Sequence, residues 1–313
     1  MLDDILKERR CFKLVCGAGN EDVKEVEKLV ALYSLAGCNF FDLSAKPDII
    51  LAAKRGLEYS RITKDRYLCV SVGIKGDPHM NKAQILDNCA HCSMCEEICP
   101  ERAIKYQKVK KIKCIGCARC KDICPKGAIK MVNQVPELKE ILPPIINLGI
   151  DCIEFHAISD DKEDIYQKWE EINKLYTGFL SICVDRSNVG NKALIERIKN
   201  MLQLRKPYTT IIQADGAPMS GGKDDYKTTL QAVATAELVE KEGFSAYLLL
   251  SGGTNSKTPE LAKMCDIGYN GIAIGSYARK IVKEYISRDD FLENKEIFNK
   301  ALNIAKRLVE ECI

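Results

Sequence analysis

The sequence predicts an α/β protein: a closed (β/α)8 barrel of the TIM-barrel type, with a bacterial-type 2[4Fe–4S] ferredoxin segment inserted after its third strand. Three observations carry that expectation. Strand-like and helix-like runs alternate along nearly the whole chain, which implies parallel pairing. The alternation stops once, between about residues 80 and 135, where half of the sixteen cysteines gather. Setting that stretch aside keeps 257 of the 313 residues, close to the ~250 typical of such barrels.

In chain order, FKLVCGA (12–18) reads as the first strand, followed by the amphipathic run EDVKEVEKLVALYSLAG ending on Gly37. NFFDLSA (39–45) is the second, leading into PDIILAAKRGLEYS, where Pro47 suits a first helical turn. YLCVSVG (67–73) is the third. After the cysteine-rich stretch comes PELKEILPPIINLG, a helix-like run expected to be interrupted at Pro143-Pro144. CIEFHAI, FLSICVD, YTTIIQAD, AYLLLSGG and GIAIGS supply five more strands, and DDFLENKEIFNKALNIAKRLVEECI closes the chain as an amphipathic segment. An open doubly wound sheet is the competing architecture, since the count of eight rests on FLSICVD. The expected division is residues 1–79 and 136–313 for the barrel, with 80–135 as the insertion. Entering after a third strand, the insertion would stand at the carboxyl end of the barrel, where active sites of this fold lie.

Composition narrows the function. The chain is 46% hydrophobic and 29% charged, as in ordinary globular proteins, and its net charge is only +3. That balance gives no electrostatic case for nucleic acid. The local run Lys108–Lys113 (KVKKIK) reads as a solvated hairpin. No apolar stretch reaches the ~20 residues needed to span a bilayer, and MLDDILKERR lacks the order of a signal peptide. A cytoplasmic location is expected, where sixteen cysteines would not form disulfides. The eight scattered cysteines lie mostly in apolar segments and read as buried thiols.

The clustered eight read otherwise. CAHCSMCEEICP (89–100) and CIGCARCKDICP (114–125) each spell C-x2-C-x2-C-x3-C-P. That run is expected for a protein with two [4Fe–4S] clusters, the fourth cysteine of each copy ligating the other cluster. One cluster is therefore assigned Cys89, Cys92, Cys95 and Cys124, and the other Cys114, Cys117, Cys120 and Cys99. A zinc ribbon would instead use two C-x2-C pairs some 15–20 residues apart. His91, between two ligands, is expected to tune a potential rather than bind iron.

The barrel offers a second site. Gly252, Gly253, Thr254 and Asn255 end the seventh strand, and Gly275 and Ser276 end the eighth. Glycines there let backbone N–H groups converge on an anion, the recurring barrel phosphate site, completed by a helix N-terminus. The ligand would be a flavin mononucleotide (FMN) phosphate or a phosphorylated substrate, with Arg279 as a charged donor or as a solvated surface residue. Glu154 and His156 share one face of the fourth strand. With Asp215, at the end of the sixth, they are the candidate acid–base groups. The loop Asp215–Lys223 is glycine-rich and polar, as an active-site loop would be, and Met219 within it reads as packing. Asp77-Pro78-His79 reads as turn chemistry.

KLVCGAGNEDV, LVALYSLAGCNFFDLSAKPDI, VSVGIKGDPH, the cysteine module, IEFH, ADGAPMSGG, SGGTN and GIAIGSYAR together resemble the light-dependent period (LdpA) family, over residues 13 to about 280. The resemblance implies redox-active iron–sulfur clusters and a role in reporting cellular redox state, without a settled reaction. Three functions are thus in play. The first is an oxidoreductase passing electrons between a donor or acceptor, protein or small molecule, and a ligand at the barrel mouth. The second is a non-enzymatic redox sensor of the LdpA type. The third is a Schiff-base barrel enzyme, ranked last because the one strand lysine, Lys13, falls near the amino end of its strand.

Overall fold

The computed structural model describes residues 1–313 except 18, 63, 76, 187, 188 and 217–222, and the side chain of Pro78. Eight parallel strands close a barrel: β1 (Cys11–Val15), β2 (Phe40–Ser44), β3 (Tyr67–Val72), β4 (Cys152–His156), β5 (Phe179–Val184), β6 (Thr210–Asp215), β7 (Tyr247–Ser251) and β8 (Gly271–Ile274). They pair in sequence order, and β1 returns to β8 through Cys11↔Gly271 to Leu14↔Ile274. The open-sheet alternative is therefore excluded. FLSICVD is a full barrel strand, registered on both β4 and β6.

Each strand has two fates for its side chains. Outward residues such as Leu14, Phe41, Val70, Ile153 and Ile212 pack beneath the surrounding helices in the main apolar core. Inward residues split by height. At the amino end Cys11, Phe40, Cys69, Cys152, Ile211, Tyr247 and Leu249 form an apolar floor. Into it the short helix Leu2–Lys7 inserts Leu2, Ile5 and Leu6. Six residues cannot hold a helix in isolation. Burying three aliphatic side chains, at about 1.5–3 kcal/mol each, holds it as a plug. Towards the carboxyl end the inward residues turn polar.

The run 138–147 departs from expectation. It is one continuous helix, Leu138–Asn147, with Pro143 and Pro144 inside it. Each proline forfeits a backbone bond, and burial of Leu138, Leu142 and Ile145 against the core offsets that loss. The closing segment forms the helix Lys295–Glu310, packed on Val23–Ala36. Seven of the scattered cysteines are buried and Cys265 is exposed.

Between β3 and β4 the chain leaves the barrel through an antiparallel pair, Asn81–Ile85 with Ile129–Asn133, which forms the stem of the insertion. KVKKIK does contribute a hairpin strand, Lys108–Val109 against Ile104–Lys105. Its end is not free, however: Lys113 reaches Asp22 on the barrel at 3.1 Å. Lys82 anchors the stem, donating to the carbonyls of Gly19 (2.7 Å) and Cys114 (2.8 Å) while 4% exposed. Lys283 holds the far side through the Pro100 carbonyl and Glu101, and the Glu21 amide bonds the Ile112 carbonyl. The insertion is thus seated on the carboxyl-terminal rim of the barrel.

Candidate functional site: a barrel mouth beneath two cysteine cavities

The carboxyl ends of the strands enclose a cavity of about 730 Å³, counting the space at its open mouth. Gly252, Gly253, Thr254, Gly275 and Ser276 line one side, so the two glycine turns do converge. Gly252 and Gly253 have φ of +67° and +85°, a region that favours glycine. Their turn brings the backbone to the cavity wall with no side chain between. Ser276 begins the helix Ser276–Ile286, so its first-turn amides and positive dipole end face the same space.

Arg279 is not a solvated surface residue. It is 7% exposed and lines the cavity, donating from Nη1 to the Cys16 carbonyl at 2.8 Å. Nη2 lies 3.8 Å from Glu101 of the insertion, and Nε is buried without a hydrogen-bond partner. The Thr254 hydroxyl is spent on the Ala273 carbonyl. Asn255 does not join the cup. Fully buried, its amide donates to the Asp225 carbonyl and the Thr228 hydroxyl, which fastens the loop behind the cavity. Of the loop Asp215–Lys223, residues 217–222, Met219 among them, lie outside the described residues.

The cavity floor is an ion-pair network. Lys13, fully buried at the barrel centre, donates to Glu154 Oε2 (2.5 Å) and Gln213 Oε1 (2.8 Å). Ser181 adds a bond to Glu154 Oε2 at 3.1 Å, and Ser71 bonds Asp42 at 2.6 Å. Burial alone would raise the Glu154 carboxyl, but Lys13 and His156 hold it well below the usual carboxylate range. Asp42 yields the proton competition: burial pushes it up to about 6 despite Lys13. Lys13 itself stays charged, because Asp42 and Glu154 outweigh its desolvation.

His156 sits between two carboxylates. Its Nδ1 is 2.8 Å from Asp77 Oδ2, and its Nε2 is 3.5 Å from Glu154 Oε1. Burial would favour the neutral ring, yet Asp77 and Glu154 raise its pKa well above the ordinary value. Asp77, expected only to shape a turn, is fully buried, and its other oxygen is 3.0 Å from Nδ1 of His79. Burial would raise Asp77 too, but His156 and His79 keep it well below the usual range. Cys183, beside His156 in the strand register, points its thiol at Asp215 Oδ2, 3.0 Å away. The sequence reading missed Lys13 and Asp77 as site residues. Glu154, His156 and Asp215 do meet at one cavity.

Above the mouth, the insertion forms two further cavities. One, of about 420 Å³ counting the space open to solvent, is lined by Cys89, Cys92, Cys95 and Cys124. The other, of about 350 Å³ counted in the same way, is lined by Cys99, Cys114, Cys117 and Cys120. Each draws three cysteines from one copy of the motif and the fourth from the other copy. The copies match in detail: Ser93 and Ala118 stand at φ +62° and +59° before short helices. The Ala103 and Ala128 amides donate to the sulfurs of Cys99 and Cys124 at 3.2 Å each. Four soft thiol donors around one hollow, with backbone N–H groups aimed at sulfur, suit iron–sulfur ligation. Ile115 lines both the second cysteine cavity and the barrel mouth.

Residues 144–311 match the family model of the light dependent period A C-terminal domain, and residues 88–135 that of the LdpA Fe–S cluster-binding domain. The chain is 32% identical, over 90% of its length and 84% of the relative's, to "Light dependent period A" of Synechococcus elongatus. Among solved structures, (S)-3-O-geranylgeranylglyceryl phosphate synthase from Thermoplasma acidophilum aligns at 12% identity and a TM-score of 0.44, covering 98% of each chain. Dihydrodipicolinate synthase from Agrobacterium tumefaciens aligns at 10% identity and 0.42, covering 98% of this chain and 86% of that one. Alignments this loose transfer no chemistry to the present barrel.

Proposed function

This chain belongs to the light dependent period A family and carries its iron–sulfur cluster-binding domain, and on that premise we propose that it is an electron-transfer oxidoreductase. Its path would run from the outer cysteine set, through the inner set, to a phosphate-bearing ligand at the barrel mouth. When bound, two [4Fe–4S] clusters would supply one-electron storage and transfer. Cys89, Cys92, Cys95 and Cys124 would hold the outer one, and Cys99, Cys114, Cys117 and Cys120 the inner.

The observation that carries this reading is Ile115, shared by the inner cysteine cavity and the barrel mouth. The barrel's own residues then have separate tasks. Gly252, Gly253, Gly275 and Ser276 present backbone donors to an anion, and Arg279 adds fixed positive charge at the same wall. Lys13, Glu154 and His156 keep the floor charged and ordered beneath the bound group. FMN is the cofactor expected in the cup. The electron donor or acceptor, protein or small molecule, would approach the outer set, where Cys92 is exposed. A cytoplasmic setting agrees with a chain in which no described helix is long and apolar enough to cross a membrane.

One observation favours a second reading, a redox sensor of the LdpA type. Glu154 and His156, the candidate acid–base pair, are engaged in internal ion pairs. Calorimetry on the anaerobic, cluster-loaded protein separates the two. FMN, inorganic phosphate or a sugar phosphate should bind the native chain. Gly253→Val, which puts a side chain into the turn, should abolish binding with iron content unchanged. No binding of any of the three at millimolar concentration overturns the oxidoreductase reading and leaves the sensor.

A further inference from the structure

We propose that Glu154 Oε1, His156 Nε2 and Cys183 Sγ form a site for one divalent transition-metal ion, of the zinc class, on the floor of the barrel mouth. This site is distinct from the cysteine sets of the insertion; it draws on Glu154 and His156 of the charged floor but does not rest on the electron-transfer reading above.

One donor atom from each of the three residues lies within 4.8 Å of the other two, and all three residues are buried and line the cavity. Their placement follows from the strands. Glu154 and His156 project inward from β4, two residues apart, and Cys183 is the register partner of His156 on β5. The 3.5 Å between His156 Nε2 and Glu154 Oε1 is long for a hydrogen bond. It is close to the ~3.4 Å between two ligands held at about 2.1 Å from a tetrahedral ion. Cys183 has to turn from Asp215, to which its thiol now donates, since a nitrogen–sulfur ligand pair spans about 3.6 Å on such an ion. Imidazole, carboxylate and thiolate together are a borderline-soft set that suits zinc or ferrous iron better than magnesium or calcium.

Two observations independent of that geometry point the same way. Asp77, fully buried, takes His156 Nδ1 at 2.8 Å. This is the outer carboxylate that usually orients a ligating histidine, and it leaves Nε2 to face the metal. Asp215, 6% exposed, has an Oδ1 that receives no hydrogen bond of acceptable geometry, although the Ser251 hydroxyl lies beside it. Around this floor Asp42, Asp77, Glu154 and Asp215 face the cations Lys13 and His156, with Arg279 on the cavity wall; His79 on the rim and the Cys183 thiol are the other titratable neighbours. As a divalent ion enters, the His156 ring proton and the Cys183 thiol proton leave to water, as ligation requires. Three protein ligands leave the fourth position open to the cavity, as in catalytic rather than structural zinc sites.

The test uses anaerobic, cluster-loaded protein, washed with chelator and then equilibrated with Zn2+ alone. Elemental analysis should find about one zinc per chain with iron unchanged. Zinc-edge X-ray absorption should show a mixed shell with a single sulfur. Cys183→Ser and His156→Gln should lower retained zinc at least tenfold, and Asp77→Asn should weaken affinity about 10–100-fold, all with native iron content. If His156→Gln fails to fold, the nearly isosteric Cys183→Ser and Asp77→Asn decide. No retained zinc, equal retention in Cys183→Ser, or a shell of four sulfurs would each overturn the site; the last would place the ion in a cysteine set.

Discussion

The two cysteine cavities grow from near-copies of one motif, yet the barrel makes them different. In the inner set Cys114 and Cys120 are buried at 9% and 8% exposure. Lys82, Lys113 and Lys283 of the surrounding contacts tie that set to the barrel rim. In the outer set Cys92 is exposed and no cysteine is buried. Ala90-His91 stands in the first copy where Ile115-Gly116 stands in the second. Ligand type and spacing are the same in both. What separates them is solvent access and neighbouring charge, the quantities that set reduction potential once the ligands are fixed. On the proposed electron path, position relative to the barrel, more than the motif, would assign each set its role.

Three predictions would sharpen or break that contrast. The largest effect should come from the crossing cysteines. Cys99→Ser should remove the inner cluster and Cys124→Ser the outer, each cutting about eight iron per chain to about four. Electron paramagnetic resonance identifies which signal survives, and loss of the variant's own motif's cluster instead would refute the crossed sets. Next in size, air exposure should bleach the outer cluster well before the inner, because Cys92 is open to solvent. The decay followed in Cys99→Ser and Cys124→Ser separately gives the order, and equal lifetimes would remove the asymmetry. A smaller effect is expected at Lys82, buried against the Cys114 carbonyl. Lys82→Met removes a nearby cation, so the inner potential should fall by something on the order of tens of millivolts, with the outer potential unmoved. A parallel fall in both would mean the insertion had shifted as a whole.

Much of this was legible in advance, for physical reasons. Strand-like runs alternating with helix-like ones and the C-x2-C-x2-C-x3-C spacing are local signals, so barrel and cysteine sets could be read from short windows. FLSICVD, the weakest strand, is completed by neighbours on both sides. What escaped was non-local. Lys13 meets Glu154 across 141 residues of chain, and Asp77 meets His156 across 79. No window shows such partners. Asn255 looked like a ligand residue because it follows the glycine turn, but a buried amide takes the backbone carbonyl nearest to it. The plug Leu2–Lys7 is too short to display helical periodicity and is held by packing alone. Pro143 and Pro144 signalled a break that the burial of their helix overrides.

The central claim is that the inner set, and not the outer, shares its surroundings with whatever the barrel mouth binds. An anaerobic redox titration followed by electron paramagnetic resonance, with and without saturating inorganic phosphate, tests it directly. A bound anion in the glycine cup adds negative charge beside the inner set. The potential of the signal lost in Cys117→Ser should therefore fall, while that of the signal lost in Cys92→Ser stays fixed. Potentials that do not respond at all, or that move together, would contradict the account.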